Sequence, residues 1–288
     1  MTCRLCGCDS LYRQYTVNGC ALSRCNDCGF LQVAEKPTDE ELAQIYAAPY
    51  FSHSKYQDMD TLNKEFQRRL QLMEDSLDGR DRKVLEFGCG TGDFITFING
   101  RFDMWGIDIS SAAIARAKET LPALQDRLQA GHIKDFSFPP EFFDAVVSWD
   151  TIEHIWDPVE VYGHLFRLIK PGGYMLLSTP NSGAFFARIT GKYWPFMTPP
   201  EHLGFFSRRS ITCFVREKLG GSLIWWNSKG KWVNLGFLFY KVKRILPALV
   251  PGWFLRLFLR RWTRKWAFYV PTGDIQYVVI RKELSMRG

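Results

Sequence analysis

A chain of 288 residues, 46% hydrophobic and 23% charged, can bury a full core and is long enough for one large domain or two small ones. That balance excludes a disordered chain, and no apolar run reaches the ~20 residues that a membrane-spanning helix needs. The net charge of +7 belongs to one segment: residues 231–273 hold nine Lys and Arg and no acid, and the remainder has 28 basic against 30 acidic residues. With no basic-then-apolar leader visible, a cytoplasmic location with reduced thiols is expected.

The N-terminus opens on two near copies, Cys3-Arg4-Leu5-Cys6-Gly7 and Cys25-Asn26-Asp27-Cys28-Gly29. A two-residue spacer lets both thiolates of a pair meet one metal, and the glycine behind it permits a tight turn. Four sulfurs at this spacing predict a closed structural Zn2+ site made by Cys3, Cys6, Cys25 and Cys28, without an open position and so without catalysis. A redox pair would open a helix in a βαβ setting, and disulfides do not suit reduced thiols. Cys8 and Cys20 are expected spectators, either able to replace a ligand. This zinc-knuckle module spans residues 1–36.

Residues 37–79 read as a helical linker and cofactor lid. Pro37 and Thr38 set up a helix start, with acids in the first turn where the dipole favours them. A second helix is expected over about 58–78. Between the two, Tyr46, Tyr50, Phe51 and Tyr56 either line the entrance to a ligand or pack the linker on the core.

From Lys83 the pattern alternates strand and helix, which predicts a doubly wound, mostly parallel sheet. Its strands are expected at Lys83–Phe87, Asp103–Ile107, just before Asp135, Asp144–Trp149 and Gly173–Ser178. Ligands of such sheets sit at the carboxyl ends of strands. There the chain places Glu86-Phe87-Gly88-Cys89-Gly90-Thr91-Gly92-Asp93. The dinucleotide fingerprint needs a third glycine where Asp93 stands, so that reading fails. The acid-x-Gly-x-Gly-x-Gly run resembles the first motif of class I S-adenosylmethionine-dependent methyltransferases, and the resemblance extends over residues 80–283. It implies a Rossmann-like seven-stranded α/β fold. Gly88, Gly90 and Gly92 would form the close-approach turn, with Glu86 near the cofactor ammonium. Asp108, about 20 residues on, suits both ribose hydroxyls, or caps the helix after it. Asp135 would meet the adenine amino group with Phe136 beside the ring, and Ile109 and Trp149 would also contact the cofactor; a polar loop role is the alternative for Asp135.

After the fourth strand comes Asp150-Thr151-Ile152-Glu153-His154. Ubiquinone-pathway O-methyltransferases carry acid-x-x-Glu-His at this place and hold a divalent cation with it; here the first acid is the shorter Asp. Glu153 and His154 are therefore candidates for a base or acceptor contact, a structural pair, or a metal site. The stretch 191–207 is aromatic and Pro-rich, and long irregular segments of this kind are often binding loops. Its Pro-Glu-His-Leu resembles methyltransferases of surface-polysaccharide and small-metabolite pathways, which implies that Glu201 and His202 face the acceptor; a capping role for His202 is the alternative.

A helix over Ser207–Leu219 leads to strands at about Ser222–Asn227 and Asp274–Arg281. Between these strands, 231–273 reads as an insertion of two basic amphipathic helices, apt for peripheral contact with the inner membrane face through 235–268, or for packing on the domain itself. Removing 235–268 is expected to reduce sedimentation with anionic liposomes; equal sedimentation would count against membrane contact. The acceptor is expected to be a small molecule or a lipid- or sugar-linked compound. RNA is the second reading, weakened because the Asn/Asp-Pro-Pro-aromatic motif of exocyclic-amine methylation is absent. A non-enzymatic cofactor-binding protein is the third.

Overall fold

The computed structural model describes residues 1–38, 41, 59–79, 81–234 and 267–284. The aromatic cluster of 46–56 and most of the basic insertion, 235–266, fall outside these, and so do the readings placed on them. Among the described residues no helix is long and apolar enough to cross a membrane.

Three strands form at the N-terminus: β1 (Leu11–Val17), β2 (Cys20–Cys25) and β3 (Leu31–Val33). The β1–β2 hairpin turns on Asn18 and Gly19, both at positive φ, a pair suited to the two-residue turn whose twist matches its strands. Next come α1 (Met59–Ser76), β4 (Lys83–Phe87), α2 (Asp93–Ile98), β5 (Asp103–Asp108), α3 (Ser111–Thr120), β6 (Leu128–Ala130) and β7 (Phe143–Trp149). The chain continues through α4 (Pro158–Arg167), β8 (Ile169–Pro180), α5 (Phe185–Thr190), β9 (Gly204–Phe205), α6 (Arg208–Cys213), β10 (Ser222–Asn234) and β11 (Ala267–Arg281).

The large sheet has the order β10-β11-β8-β7-β4-β5-β6. β4 pairs in parallel with both β5 and β7, so the strand order reverses beside β4. Only β11 runs against its neighbours. The parallel strands are buried on both faces; β7 reads Phe-Asp-Ala-Val-Val-Ser-Trp with only Asp144 partly exposed. One core face centres on Leu85, Val146, Tyr162 and Phe214, the other on Val84, Phe94, Val147 and Tyr277. Each such fully buried large apolar side chain contributes ~1.5–3 kcal/mol.

Several expected boundaries move. α4 ends at Arg167, because Ile169 already pairs with Phe143, and β8 therefore starts at Ile169, ahead of the expected Gly173. The helix begun at Ser207 is α-helical only to Cys213 and continues to Leu219 as a wider turn, ending at Gly220 in the left-handed region. β10 and β11 extend into the basic segment, with Lys231 opposite Val270 and Trp232 opposite Tyr269, so the interruption starts after Asn234 rather than at Lys231.

The N-terminal strands make a second sheet, β1-β2-β3-β9, whose last member comes from the 194–207 stretch. Phe30 packs on Phe206 with ring centroids 4.8 Å apart, and Cys3, Leu5, Cys25 and Cys28 share one apolar cluster with Phe206, Ile211 and Phe214. The knuckle and the α/β body are one continuous packing unit.

Candidate active site

The strand order reverses beside β4, and ligands of open α/β sheets bind at the carboxyl ends of the strands flanking such a point, here β4 and β7. β4 delivers Glu86 and the glycine turn. Gly88, Gly90 and Gly92 all have positive φ, a conformation L side chains rarely adopt. A Cβ on Gly88 would come within 2.8 Å of Thr151 Cγ2, so the turn and the segment after β7 touch through a missing side chain. Among the described residues, nothing lies within 4 Å of a Cβ placed on Gly90.

Glu86 is buried, and its Oε2 has no hydrogen-bond partner among the described residues. Burial pushes its carboxyl up to about 8, opposed by the nearby Arg69 guanidinium and reinforced by Asp108. Trp149 Nε1, at the tip of β7, is likewise buried and has no partner among the described residues. Native interiors pair nearly all such atoms, so these two, at neighbouring strand tips, are candidates for contacts with a polar ligand.

Asp108, at the tip of β5, accepts from Gly90 N (2.8 Å) and Ser110 N (2.9 Å). Burial raises its carboxyl and these two donors oppose the rise. The cap of α3 is Ser110, whose Oγ accepts from Ala113 N, so Asp108 braces the glycine turn instead of capping. Ile109 is 55% exposed beside it. Asp135 accepts from His132 N at 3.0 Å and closes a short helical turn; a Cβ on Gly131 would come within 3.3 Å of its Oδ2 and within 3.1 Å of Phe136.

The chain leaves β7 through Asp150, at φ 51°. Asp150 pairs with Arg69 of α1 at 2.6 Å and accepts from Ser178 Oγ at 2.9 Å; against the cost of burial, the guanidinium helps hold its carboxyl low. Arg69 also lies 5.5 Å from the Trp149 ring. Nothing in the sequence marked this arginine, which looks like any cation on an amphipathic helix. Gln129, on β6 opposite Ile107, was also unmarked and carries a buried oxygen without a partner among the described residues.

Glu153 and His154 then meet His202. The Glu153 carboxylate, 2% exposed, accepts from Thr179 Oγ1 at 2.8 Å, and burial pushes it up to about 8. His154 Nδ1 lies 2.8 Å from Glu201 O, and His202 Nδ1 2.8 Å from Phe196 O. A carbonyl only accepts, so each Nδ1 carries hydrogen, and a ring in its neutral form then has its lone pair on Nε2. Burial holds His154 below the usual imidazole range, favouring the neutral form. The rings sit edge to face at 4.8 Å, and one ligand atom from each of Glu153, His154 and His202 lies within 4.8 Å of the others. Glu201 takes part in this geometry through its backbone carbonyl.

At the knuckle, Cys3 Sγ and Cys28 Sγ are 3.6 Å apart, as are Cys6 Sγ and Cys25 Sγ, and all four sulfurs lie within 4.8 Å of one another. Tetrahedral Zn–S bonds of ~2.3 Å put sulfurs about 3.8 Å apart, whereas a disulfide needs ~2.05 Å. The Cys28 hydrogen bond lowers the Cys3 thiol to about 5, the thiolate form that metals take.

Residues 59–217, more than half of the chain, match the family model described as a methyltransferase domain. A Mycolicibacterium smegmatis protein described as a probable S-adenosylmethionine-dependent methyltransferase is 36% identical over 110 residues, 37% of this chain and 40% of that protein. The ubiquinone biosynthesis O-methyltransferase of Alkalilimnicola ehrlichii is 32% identical over 120 residues, 39% of this chain and 48% of that protein. These matches therefore span less than half of either relative's length. Among solved structures, the [4+2]-cyclase SpnF superposes with a TM-score of 0.57 at 15% identity, covering 87% of this chain and 98% of that one. The geranyl diphosphate C-methyltransferase of Streptomyces coelicolor A3(2) gives 0.52 at 16% identity, covering 86% and 99%. That a cyclase and a methyltransferase both superpose shows that the likeness carries the fold alone.

Proposed function

The chain belongs to the methyltransferase-domain family, and from that membership we propose that it moves the methyl group of S-adenosylmethionine to a small-molecule or lipid- or sugar-linked acceptor at oxygen or carbon. The observation that carries the reading is the glycine bend beside an unpartnered buried carboxyl, Glu86, at the reversal of strand order. A phosphate ligand would not suit a carboxylate there; a cofactor with an ammonium does. When bound, S-adenosylmethionine supplies an electrophilic methyl on a cationic sulfur. Glu86 receives the ammonium, Asp108 stands ready for the ribose, and Gly90 leaves the space both need. Glu153, His154 and His202 make the acceptor side. In an in-line displacement the protein's main task is alignment, and a base among these residues contributes ~10²–10⁴-fold where the acceptor atom carries a proton.

Mass spectrometry of metabolites and glycolipids from cells with and without an inactivated copy identifies the acceptor. A methylated species present only with the active copy supports the reading; identical profiles oppose it.

Glu86 offers a separate check. With its carboxyl near 8, the protein alone holds a proton there at pH 7. A bound ammonium favours the carboxylate, so cofactor binding should release close to one proton, and release should fade above pH 8, where Glu86 is already ionised. Calorimetry at pH 7 in buffers of different ionisation enthalpy measures this. A heat independent of buffer, or a release unchanged in Glu86→Gln, would exclude the assignment.

The four knuckle sulfurs are proposed to hold one structural Zn2+. Their separations fit such an ion, and elemental analysis of freshly purified protein should find about one zinc per chain.

A further inference from the structure

We propose that the acceptor is an anion, carrying a phosphate or a carboxylate, and that Lys231 of β10 receives this group. Three features of the structure carry this. First, Lys231 Nζ lies 5.6 Å from the ring centroid of Phe196, whose carbonyl is 2.8 Å from His202 Nδ1. Its charge also reaches both acids after β7. Against burial, and after Arg69, it helps hold the Asp150 carboxyl low, and it partly opposes the rise that burial gives Glu153. The ammonium therefore stands on the acceptor side.

Second, the backbone around Lys231 is fixed. Residues 271–274 of β11 stand opposite Gly230 alone, and a Cβ on Gly230 would collide with Val270 O, so this bulge needs its glycine. Gly230 N donates to Tyr269 Oη at 2.9 Å, and Gly230 O accepts from Arg68 Nη1 at 3.2 Å. Trp232 N donates to Glu65 Oε1 at 3.3 Å, so α1 pins the chain on each side of Lys231. In the widened part of β11, Asp274 accepts from Trp194 Nε1 at 2.8 Å, and the Trp194 ring lies 5.3 Å from that of Phe196. The bulge thus ties the strand carrying Lys231 to the ring that Lys231 faces.

Third, the charge is unanswered. Lys231 is half-buried and has no hydrogen bond or ion pair among the described residues. The acids around it are committed: Asp150 to Arg69 and Ser178, Glu65 to Arg68 and Tyr277, Asp274 to Trp194. Glu153, with its carboxyl pushed up to about 8 by burial, is uncharged at pH 7. A neutral acceptor gives a half-buried ammonium nothing for its lost water, whereas an oxyanion gives a charge-assisted hydrogen bond. The sequence agrees in sign: the run of nine Lys and Arg without an acid begins at Lys231. Assigning the anion to an acceptor rests on the methyl-transfer reading; anion binding at Lys231 does not.

Nuclear magnetic resonance of the full-length protein, with lysine side chains isotopically labelled at Cε, tests the site with inorganic phosphate and acetate at constant ionic strength. Lys231→Arg removes the signal, which assigns it. Expected is a saturable shift of the Lys231 signal; tighter phosphate points to a phosphate-bearing acceptor, tighter acetate to a carboxylate. A signal unmoved by both probes would overturn the proposal, whatever the variants do. With the acceptor identified by metabolite mass spectrometry, Lys231→Met should raise its KM ~10–100-fold with kcat little changed, and Lys231→Arg should restore it. Methionine keeps an unbranched apolar stem against Phe196. A normal KM in Lys231→Met, or an acceptor with neither group, would also overturn it. Titration with S-adenosylhomocysteine separates the two ideas: a Lys231 response without binding of that product would leave the anion site standing and remove the methyl-transfer reading.

Discussion

Gly90→Arg is expected to abolish binding of S-adenosylmethionine and its demethylated product while the protein remains folded. The geometry separates these two effects. Gly90 sits at φ +53°, and a non-glycine residue in that region costs ~1–2 kcal/mol, which a folded domain tolerates. A Cβ there meets no atom of the described residues within 4 Å, so the new side chain does not run into the core. It would occupy ligand space next to Asp108, whose carboxylate holds the Gly90 N–H. Its positive charge would also approach Glu86 and compete with the ammonium. A rise in Kd beyond ~100-fold, about 2.7 kcal/mol, is expected by calorimetry, with an unchanged circular dichroism spectrum. Gly88→Ala is the contrasting case. Its Cβ strikes Thr151, so the segment carrying Glu153 and His154 must shift, and a lower Tm should accompany the loss of binding. Normal cofactor affinity in Gly90→Arg would mean that the bend is not the cofactor seat.

What the sequence made legible follows physical period and backbone necessity. The strand at Lys83–Phe87, the glycine turn and Asp108 were readable because a buried parallel strand is a short apolar run and positive φ selects glycine. The Asn18-Gly19 hairpin was equally readable from its turn residues, although the cysteines on either side drew the reading toward metal alone. The extent of β10 and β11 was not, because a change of charge composition at Lys231 does not mark a change of backbone conformation. The meeting of His154 with His202, and of Arg69 with Asp150, was beyond reach for another reason. Neither pair lies within one element, and only the folded sheet brings α1 and the Pro-rich loop over the tip of β7.

The same long-range packing predicts that the N-terminal cysteine module, with the Zn2+ proposed for it, controls the proposed acceptor side and not the cofactor side. Arg4 lies between Cys3 and Cys6 in the first knuckle. Its guanidinium stacks 3.7 Å from the Trp156 ring centroid and donates to the carbonyls of Trp156, Val33 (3.2 Å) and Leu203 (2.8 Å). Leu203 N in turn donates to Glu153 O at 2.7 Å. One half-buried cation therefore fastens the residue after His202 and the loop just past His154. Hydrogen bonds from a charged group contribute ~1.5–3 kcal/mol each, and Arg4 keeps its charge at neutral pH, with burial lowering it only to about 10. Arg4→Ala retains all four cysteines, so it should keep zinc and bind S-adenosylhomocysteine within about 3-fold of normal, an energy difference below ~0.7 kcal/mol. Acceptor turnover should fall by ~10²-fold, because a misplacement of about 1 Å at the reacting groups has that effect. Cys25→Ser, or chelation, should go further. Removing the metal takes folding energy from the β1-β2-β3-β9 sheet, and β9 follows directly on Leu203, so Tm should drop together with turnover. If the metal-free protein turned over its acceptor normally, the knuckle would be an independent appendage. If cofactor affinity collapsed in Arg4→Ala, the division of labour drawn from these contacts would be wrong.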